Sequence, residues 1–426
     1  MRTTSDPFLQ QIARALLVTL IFVIPFSKAA IEILFPILLV FWLAARVLFT
    51  MGRSQPGKMT LLALLAYLGI CAWSVSYSHH PLTSVRGFIG KNLEYTLLFL
   101  IASDIANHPS VALSTVRSLQ KAGWLVGLYA VLQQMTGRDF FRGRPLLYAR
   151  MIGPYENPND LATFLIVVTL ILLAYVLAQP DRSQTKRWAL LALLLGCLVL
   201  TQSRAALIGF SFGFLLLLLL LRERRKVVWM SVGFGFLIVF GFSSLRNELW
   251  EVLTLSDIAS KDRLVMWNTA WRMILDRPLF GHGLNTFMAN YLAYVAGPTN
   301  GPAYAHNCFL QIAAETGIVG LLTFLWFLSA LFRMYWHPLG PQVTEVTFDH
   351  PEIRETRFAL IGIAAGMAAF LVQSAFDTNL YALRQAALFW TLSGVGAGLS
   401  ARLSYAQELP VRTVHVPLHS RQQVAG

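Results

Sequence analysis

The sequence predicts an all-α polytopic membrane protein with about 12 transmembrane helices, and three observations carry that prediction. Of the 426 residues, 56% are hydrophobic and only 13% are charged, whereas soluble domains carry about 25% charged residues. Apolar runs recur from end to end and leave no hydrophilic block large enough to fold by itself, so 1–426 reads as a single membrane domain. Runs long enough to cross about 30 Å of hydrocarbon lie near 13–27, 30–50, 59–77, 91–106, 120–136, 160–179, 187–202, 205–221, 227–245, 317–336, 356–377 and 385–402.

The first run follows Arg2 and Arg14 and resembles a signal peptide, with Ser27-Lys28-Ala29 as a weak cleavage site. Lys28 fits such a site poorly and another apolar run follows at once, so an uncleaved span is expected. Numbering the loops alternately places 20 of the 34 Lys and Arg residues on one side, with RERRK (Arg222 to Lys226) between the eighth and ninth runs as the densest group. Short loops rich in Lys and Arg stay cytoplasmic, so both termini are expected inside the cell.

The remaining basic residues break that rule. Arg138, Arg142, Arg144 and Arg150 crowd one outer loop, Arg204 sits in an outer turn, and Arg263, Arg272 and Arg277 lie in a long outer segment. That segment, 246–316 between the ninth and tenth spans, is the one sizeable hydrophilic insertion, and long loops of this kind are usually functional. Leu264, Trp267, Ala270, Trp271 and Ile274 follow the spacing of one helical face, and Pro278 with the glycines of GHGLN (Gly281 to Asn285) ends that helix. A second helix is expected to begin near His306 and to carry Leu310, Ala313 and Ala314 on one side, which makes the segment a helical cap on the outer membrane face.

A net charge of +13 invites a nucleic-acid reading, but in a membrane protein the position of each basic residue matters more than the sum, and no nucleic-acid partner is expected. Cys71, Cys197 and Cys308 form no spaced set for disulfides or a thiolate metal site. The histidines show no HExxH or paired spacing, so neither a metal nor another cofactor is expected.

Within TQSRAALIGF, Arg204 reads either as a snorkelling interfacial charge or as a phosphate ligand, because guanidinium presents a planar fork to paired oxygens. Arg263 carries the same two readings at the start of the Trp-rich helix. Two cations on one side suit a leaving diphosphate, whose negative charge develops during transfer. The loop RDFFRGRPLLYARMIGPYENPND offers Arg142, Arg144 and Arg150 as further anion ligands, or as a basic loop drawn to headgroups. Asn157 and Asn159 either cap the following span or bind sugar hydroxyls. In AHNCFLQIAAETGIVG (Ala305 to Gly320), His306 is either a helix-start residue or a general base, with Asn307 beside it as a polar contact for substrate.

Taken together, SRAALIGF, then R-x-x-x-W followed by PLFGHGLN, then HNCFLQIAAETGIVG, resemble the O-antigen ligase family, which also includes O-antigen polymerases and some protein O-oligosaccharyltransferases. Arg150, Gly153, Asn157, Pro158 and Asn159 are similar to a further pattern of that family. The resemblance implies a GT-C-like fold and a metal-independent, inverting glycosyl transfer at the periplasmic face of the bacterial inner membrane. The implied donor is a polysaccharide on undecaprenyl diphosphate, and the implied ligase acceptor is lipid A-core oligosaccharide. By the same resemblance His306 matches the essential histidine, and Arg204 and Arg263 match arginines that hold the diphosphate. A ligase is favoured over a polymerase on the wording of the motifs. The protein oligosaccharyltransferase reading is disfavoured because residues 403–426 are expected inside the cell. Twelve spans with both ends inside also fit a transporter, against which stand the absence of an evident repeat between the halves and the scarcity of charges in mid-span.

Overall fold

The computed structural model describes residues 8–48, 56–146, 150–178, 184–221, 258–297, 299, 301–340 and 351–408. Among them the chain is almost wholly helical. Helices α1 (Phe8–Val23), α2 (Lys28–Leu48) and α3 (Lys58–Ser76) lead to the short α4 (Pro81–Gly87), which passes through a π-helical turn, Phe88–Leu93, into α5 (Glu94–Ile105). Then come α6 (Pro109–Thr136), α7 (Pro158–Ala178), α8 (Thr185–Leu200) and α9 (Arg204–Leu220). The series continues with α10 (Ile258–Asp276), α11 (Phe287–Tyr294), α12 (Cys308–Trp336), α13 (Pro351–Ser374) and α14 (Leu383–Glu408). A two-stranded ribbon, Arg138–Asp139 with Arg144–Pro145, is antiparallel and turns the chain between α6 and α7.

Each apolar run of the sequence falls on a helix, except 227–245 and the RERRK group, which lie outside the described residues. Among the described residues, five helices are long and apolar enough to cross a membrane: α2, α3, α7, the α12 segment Cys308–Leu339, and α13. The protein is therefore a multi-pass α-helical membrane protein. Helix α7 lies in the middle of the bundle, with Leu161 to Val176 buried on every side, while α2 and α3 expose Ile33, Val40, Leu62 and Leu65 at its edge. Apolar side chains facing outward are what a lipid solvent permits.

Small residues set how closely the inner helices approach, as is usual where lipid supplies no hydrophobic drive between helices. A Cβ on Gly213 of α9 would lie 2.7 Å from the Ala365 carbonyl oxygen of α13, and one on Gly394 of α14 would lie 2.4 Å from that of Phe99 on α5. Polar ties fix the register elsewhere. Buried Asp104 accepts from Trp42 Nε1 at 2.8 Å and from Arg46 Nη1 at 3.2 Å. Arg384 donates to the carbonyls of Pro25 at 3.0 Å and Pro154 at 2.9 Å while lying over the Tyr155 ring.

The structure decides which side of α10 faces inward. Ala270 and Ile274 are buried, but Leu264 and Trp271 are exposed, and the inward face runs through Thr269, Ala270, Met273 and Ile274 with Met266 packed beside it. The second expected helix is present: α12 begins at Cys308, and Ala313 and Ala314 are buried against α10 and α11, with Leu310 packed on the same cluster. It runs on without a loop into the tenth apolar run, through a kink at Gly317. There φ is +74°, and a Cβ would sit 2.0 Å from the Leu279 carbonyl oxygen, so only glycine fits both the conformation and the contact.

Candidate active site

One end of the bundle gathers the start of α7, the turn between α8 and α9, the end of α13 and the start of α12. Ser203 precedes α9, and Arg204 is the first residue of that helix. Arg150 crosses to this turn, its Nε donating to the Thr201 carbonyl at 2.9 Å and its Nη2 contacting Asn159 Oδ1 and the Gln202 carbonyl, each at 3.4 Å. Asn159 Oδ1 also accepts from Ser203 Oγ at 2.8 Å, and the Asn159 carbonyl accepts from Gln373 Nε2 at 3.3 Å. One asparagine thus joins α7, α9 and α13.

Three guanidinium groups share this corner. Partial burial, and after it the positive charges of Arg263 and Arg204, hold the Arg150 pKa below its ordinary value. Such crowding of like charge is unfavourable in the absence of an anion and favourable around one. Arg263 lies one helical turn before Trp267 on α10, and the Trp267 indole contacts the His306 carbonyl at 3.5 Å.

His306 adopts a φ of +45°, and Gln202 in the neighbouring turn a φ of +51°. Left-handed backbone at a residue other than glycine costs free energy and tends to occur at functional sites. Asn307 holds the histidine in place by capping α12, its Oδ1 accepting from the Phe309 N–H at 3.0 Å and the Leu310 N–H at 3.1 Å. The His306 Nδ1 atom is covered and lies 3.4 Å from Asp377 Oδ1. That spacing is an ion-pair contact rather than a formed hydrogen bond, and contacts of this kind commonly tighten when substrate arrives. With the side chain 39% exposed, the accessible part of the ring lies away from Asp377.

Asp377 escaped the sequence reading because it sits at the end of an apolar run, 71 residues beyond His306. The available signal was a carboxylate followed by Thr378 and Asn379 where hydrophobicity stops. Cys308 also proves structural: its thiol points to the Asp377 carbonyl at 3.2 Å and to Asn379 Oδ1 at 3.4 Å, tying the histidine loop to the aspartate loop.

Other expected residues have structural partners here. Asn157 caps α7, with Oδ1 accepting from the Asp160 N–H at 2.8 Å and Nδ2 donating to Asp160 Oδ2 at 2.7 Å. Arg142 is paired with buried Asp139 at 2.6 Å and contacts the Pro154 carbonyl at 3.4 Å. The backbone of Arg144 lies in the ribbon, opposite Asp139.

The glutamate and glycines of AHNCFLQIAAETGIVG have a structural use. Fully buried Glu315 accepts from the N–H groups of Asn285 at 2.7 Å and Phe287 at 3.2 Å, from Gln311 Nε2 at 3.2 Å and from the Tyr381 hydroxyl at 3.2 Å. The N–H groups of His282 and Gly283 meet the carbonyls of Ala314 and Glu315, so the GHGLN loop is latched to α12 just inside the His306 turn. Burial lowers the pKa of His282, whose Nε2 lies 3.0 Å from the Met273 carbonyl.

Residues 189–325 match the family model described as O-antigen ligase, a stretch that runs from α8 into α12 and contains Arg204, Arg263 and His306 but neither Arg150 nor Asp377. The chain is 28% identical over 291 residues to an O-antigen ligase of Pseudomonas aeruginosa, covering 67% of each chain. It is 24% identical over 281 residues to a putative polysaccharide ligase of Rickettsia felis, covering 63% of this chain and 66% of the relative. The chain thus spans about two thirds of the length of these two relatives. Over 210 residues it is 27% identical to the ComP-specific O-oligosaccharyltransferase of Acinetobacter baylyi, covering 46% of this chain and 38% of that one. A chain from a solved peptidoglycan synthase complex, 16% identical, covers 80% of this chain and 96% of its own length at a TM-score of 0.45, too low to bear on the fold.

Proposed function

Since this chain belongs to the O-antigen ligase family, we propose that it transfers a polysaccharide from undecaprenyl diphosphate to a hydroxyl of lipid A-core oligosaccharide at the periplasmic face of the bacterial inner membrane. The observation that carries this reading is the meeting, at one end of the bundle, of three arginines with a left-handed histidine backed by an aspartate.

In the proposed reaction His306 takes the proton of the acceptor hydroxyl as that oxygen attacks the anomeric carbon. The bond from this carbon to the diphosphate oxygen breaks, and undecaprenyl diphosphate leaves with the electron pair. Asp377, facing Nδ1, favours the tautomer with the proton on that nitrogen and leaves Nε2 free to accept, and it stabilises the imidazolium that forms. Arg204, Arg263 and Arg150 meet the charge that develops on the diphosphate, which in turn relieves their mutual repulsion. One displacement from the opposite face inverts the anomeric configuration.

Arg142, Asn157 and Asn307 serve substrate binding through the loops they hold, and Arg144 belongs to the same outer loop as Arg142. Likeness to the A. baylyi oligosaccharyltransferase supports a protein hydroxyl as the alternative acceptor. The test is incubation of purified protein with lipid-linked donor and lipid A-core. Joined product is the expected result, whereas a lengthened donor indicates a polymerase, and transfer to added protein alone indicates an oligosaccharyltransferase.

A further inference from the structure

An open pocket of about 510 Å³ lies at the C-terminal end of α10, bounded by Tyr77, His79, Arg277, Leu279 and Phe280. Its volume is in the range of small-ligand sites, about 300–1,000 Å³. It stands just beyond Ser76, the end of α3, a helix long and apolar enough to cross the membrane. Trp73 and Tyr77, both half exposed, pack against Phe280 with centroids 6.1 and 6.3 Å away. Aromatic rings at the end of a span mark the headgroup level.

Arg277 is held across the pocket, Nη1 donating to the Tyr77 carbonyl at 3.2 Å and Nη2 touching His79 Nε2. His80 and Arg86 follow in the same turn and short helix. The acidic neighbour, Asp276 Oδ2, is 4.0 Å from Arg277 Nε, takes its hydrogen bond from the Tyr294 hydroxyl at 2.6 Å, and does not line the pocket. Below the pocket the surface is apolar. The Ile318 N–H donates to the carbonyl of Pro278 at 2.7 Å, Ile318, Leu322 and Leu325 of α12 are exposed, and so are Leu62 and Leu65 of α3, against which α12 packs. A cationic pocket at headgroup height above an apolar strip matches a molecule with a phosphate at one end and acyl chains at the other.

We propose that this pocket binds the phosphate of an anionic glycerophospholipid through Arg277, with the acyl chains lying along α3 and α12. The lipid would brace the loop Pro278–Gly281 against the Gly317 kink of α12, and so the segment that carries His306. This assignment is independent of the transfer reaction.

Native mass spectrometry of the full chain in detergent, titrated with phosphatidylglycerol, tests it. Wild type should retain one phosphatidylglycerol that Arg277→Gln binds about tenfold or more weakly, the weight of a charge-assisted hydrogen-bonded contact. Leu279→Glu, at a side chain 60% exposed, should have the same effect by placing a carboxylate at the mouth, and it decides the matter if Arg277→Gln fails to fold. Retention by Leu279→Glu equal to wild type overturns the proposal. So does phosphatidylcholine held as tightly as phosphatidylglycerol, or inorganic phosphate alone displacing the lipid, which would make this a free-anion site.

Discussion

Replacement of Glu315 separates a structural latch from a catalytic acid. In the Ala variant the N–H groups of Asn285 and Phe287 lose their acceptor, as do Gln311 Nε2 and the Tyr381 hydroxyl. A buried donor left unsatisfied costs about 1–3 kcal/mol, so the two backbone groups alone give about 2–6 kcal/mol of destabilisation. Glu315→Gln keeps one acceptor oxygen and the side-chain volume. It faces one of those N–H groups with an amide NH₂ and should lose about 1–3 kcal/mol. Unfolding by denaturant in mixed micelles measures both losses, and amide exchange at Asn285 and Phe287 should accelerate in the same order, Ala before Gln. Equal stability of wild type and Glu315→Ala would refute the latch. So would a Gln variant as stable as wild type but inactive in transfer, since that pattern belongs to an acid that donates a proton.

His306→Ala should insert and bind lipid-linked donor normally while product formation falls by about 10²- to 10⁴-fold, the usual cost of a lost general base; transfer near the wild-type rate would reduce the histidine to a helix-start residue. Asp377→Asn should lower the rate over a similar range, about 10²- to 10⁴-fold, by releasing the imidazole tautomer, with donor KM little changed and the pH profile moved; a rise in KM alone would assign the aspartate to binding. Arg204→Lys and Arg263→Lys should each impair transfer although charge is retained, because lysine lacks the planar fork, and full activity in both would move the diphosphate contact to Arg150. Reporters fused after 110 and 184 should behave as cytoplasmic and those near 145 and 295 as periplasmic, following the Lys and Arg imbalance; a cytoplasmic signal at 295 would end the proposed mechanism.

The helical membrane architecture was legible because spans must satisfy their own backbone hydrogen bonds inside lipid, which leaves long apolar runs and sharp polar breaks in any sequence that does so. Arg204 and His306 stood out for a related reason: they lie close to those breaks, and Arg204 opens α9 as its place in SRAALIGF suggested, whereas Arg263 stood out as a basic residue in the long outer segment. Which residues meet across the bundle was not legible. Asp377 faces His306, Arg150 reaches the turn before α9, and Glu315 latches a loop 30 residues earlier, each through contacts between helices distant in sequence. Which side of α10 faces inward was not legible for a different physical reason. In water an apolar stripe points to the core, but at a membrane surface lipid and protein both accept apolar side chains, so Leu264 and Trp271 can face outward while Ala270 and Ile274 face inward. Periodicity fixed that a helix forms there; only its packing against α12 and the His306 turn decided which side of it is inside.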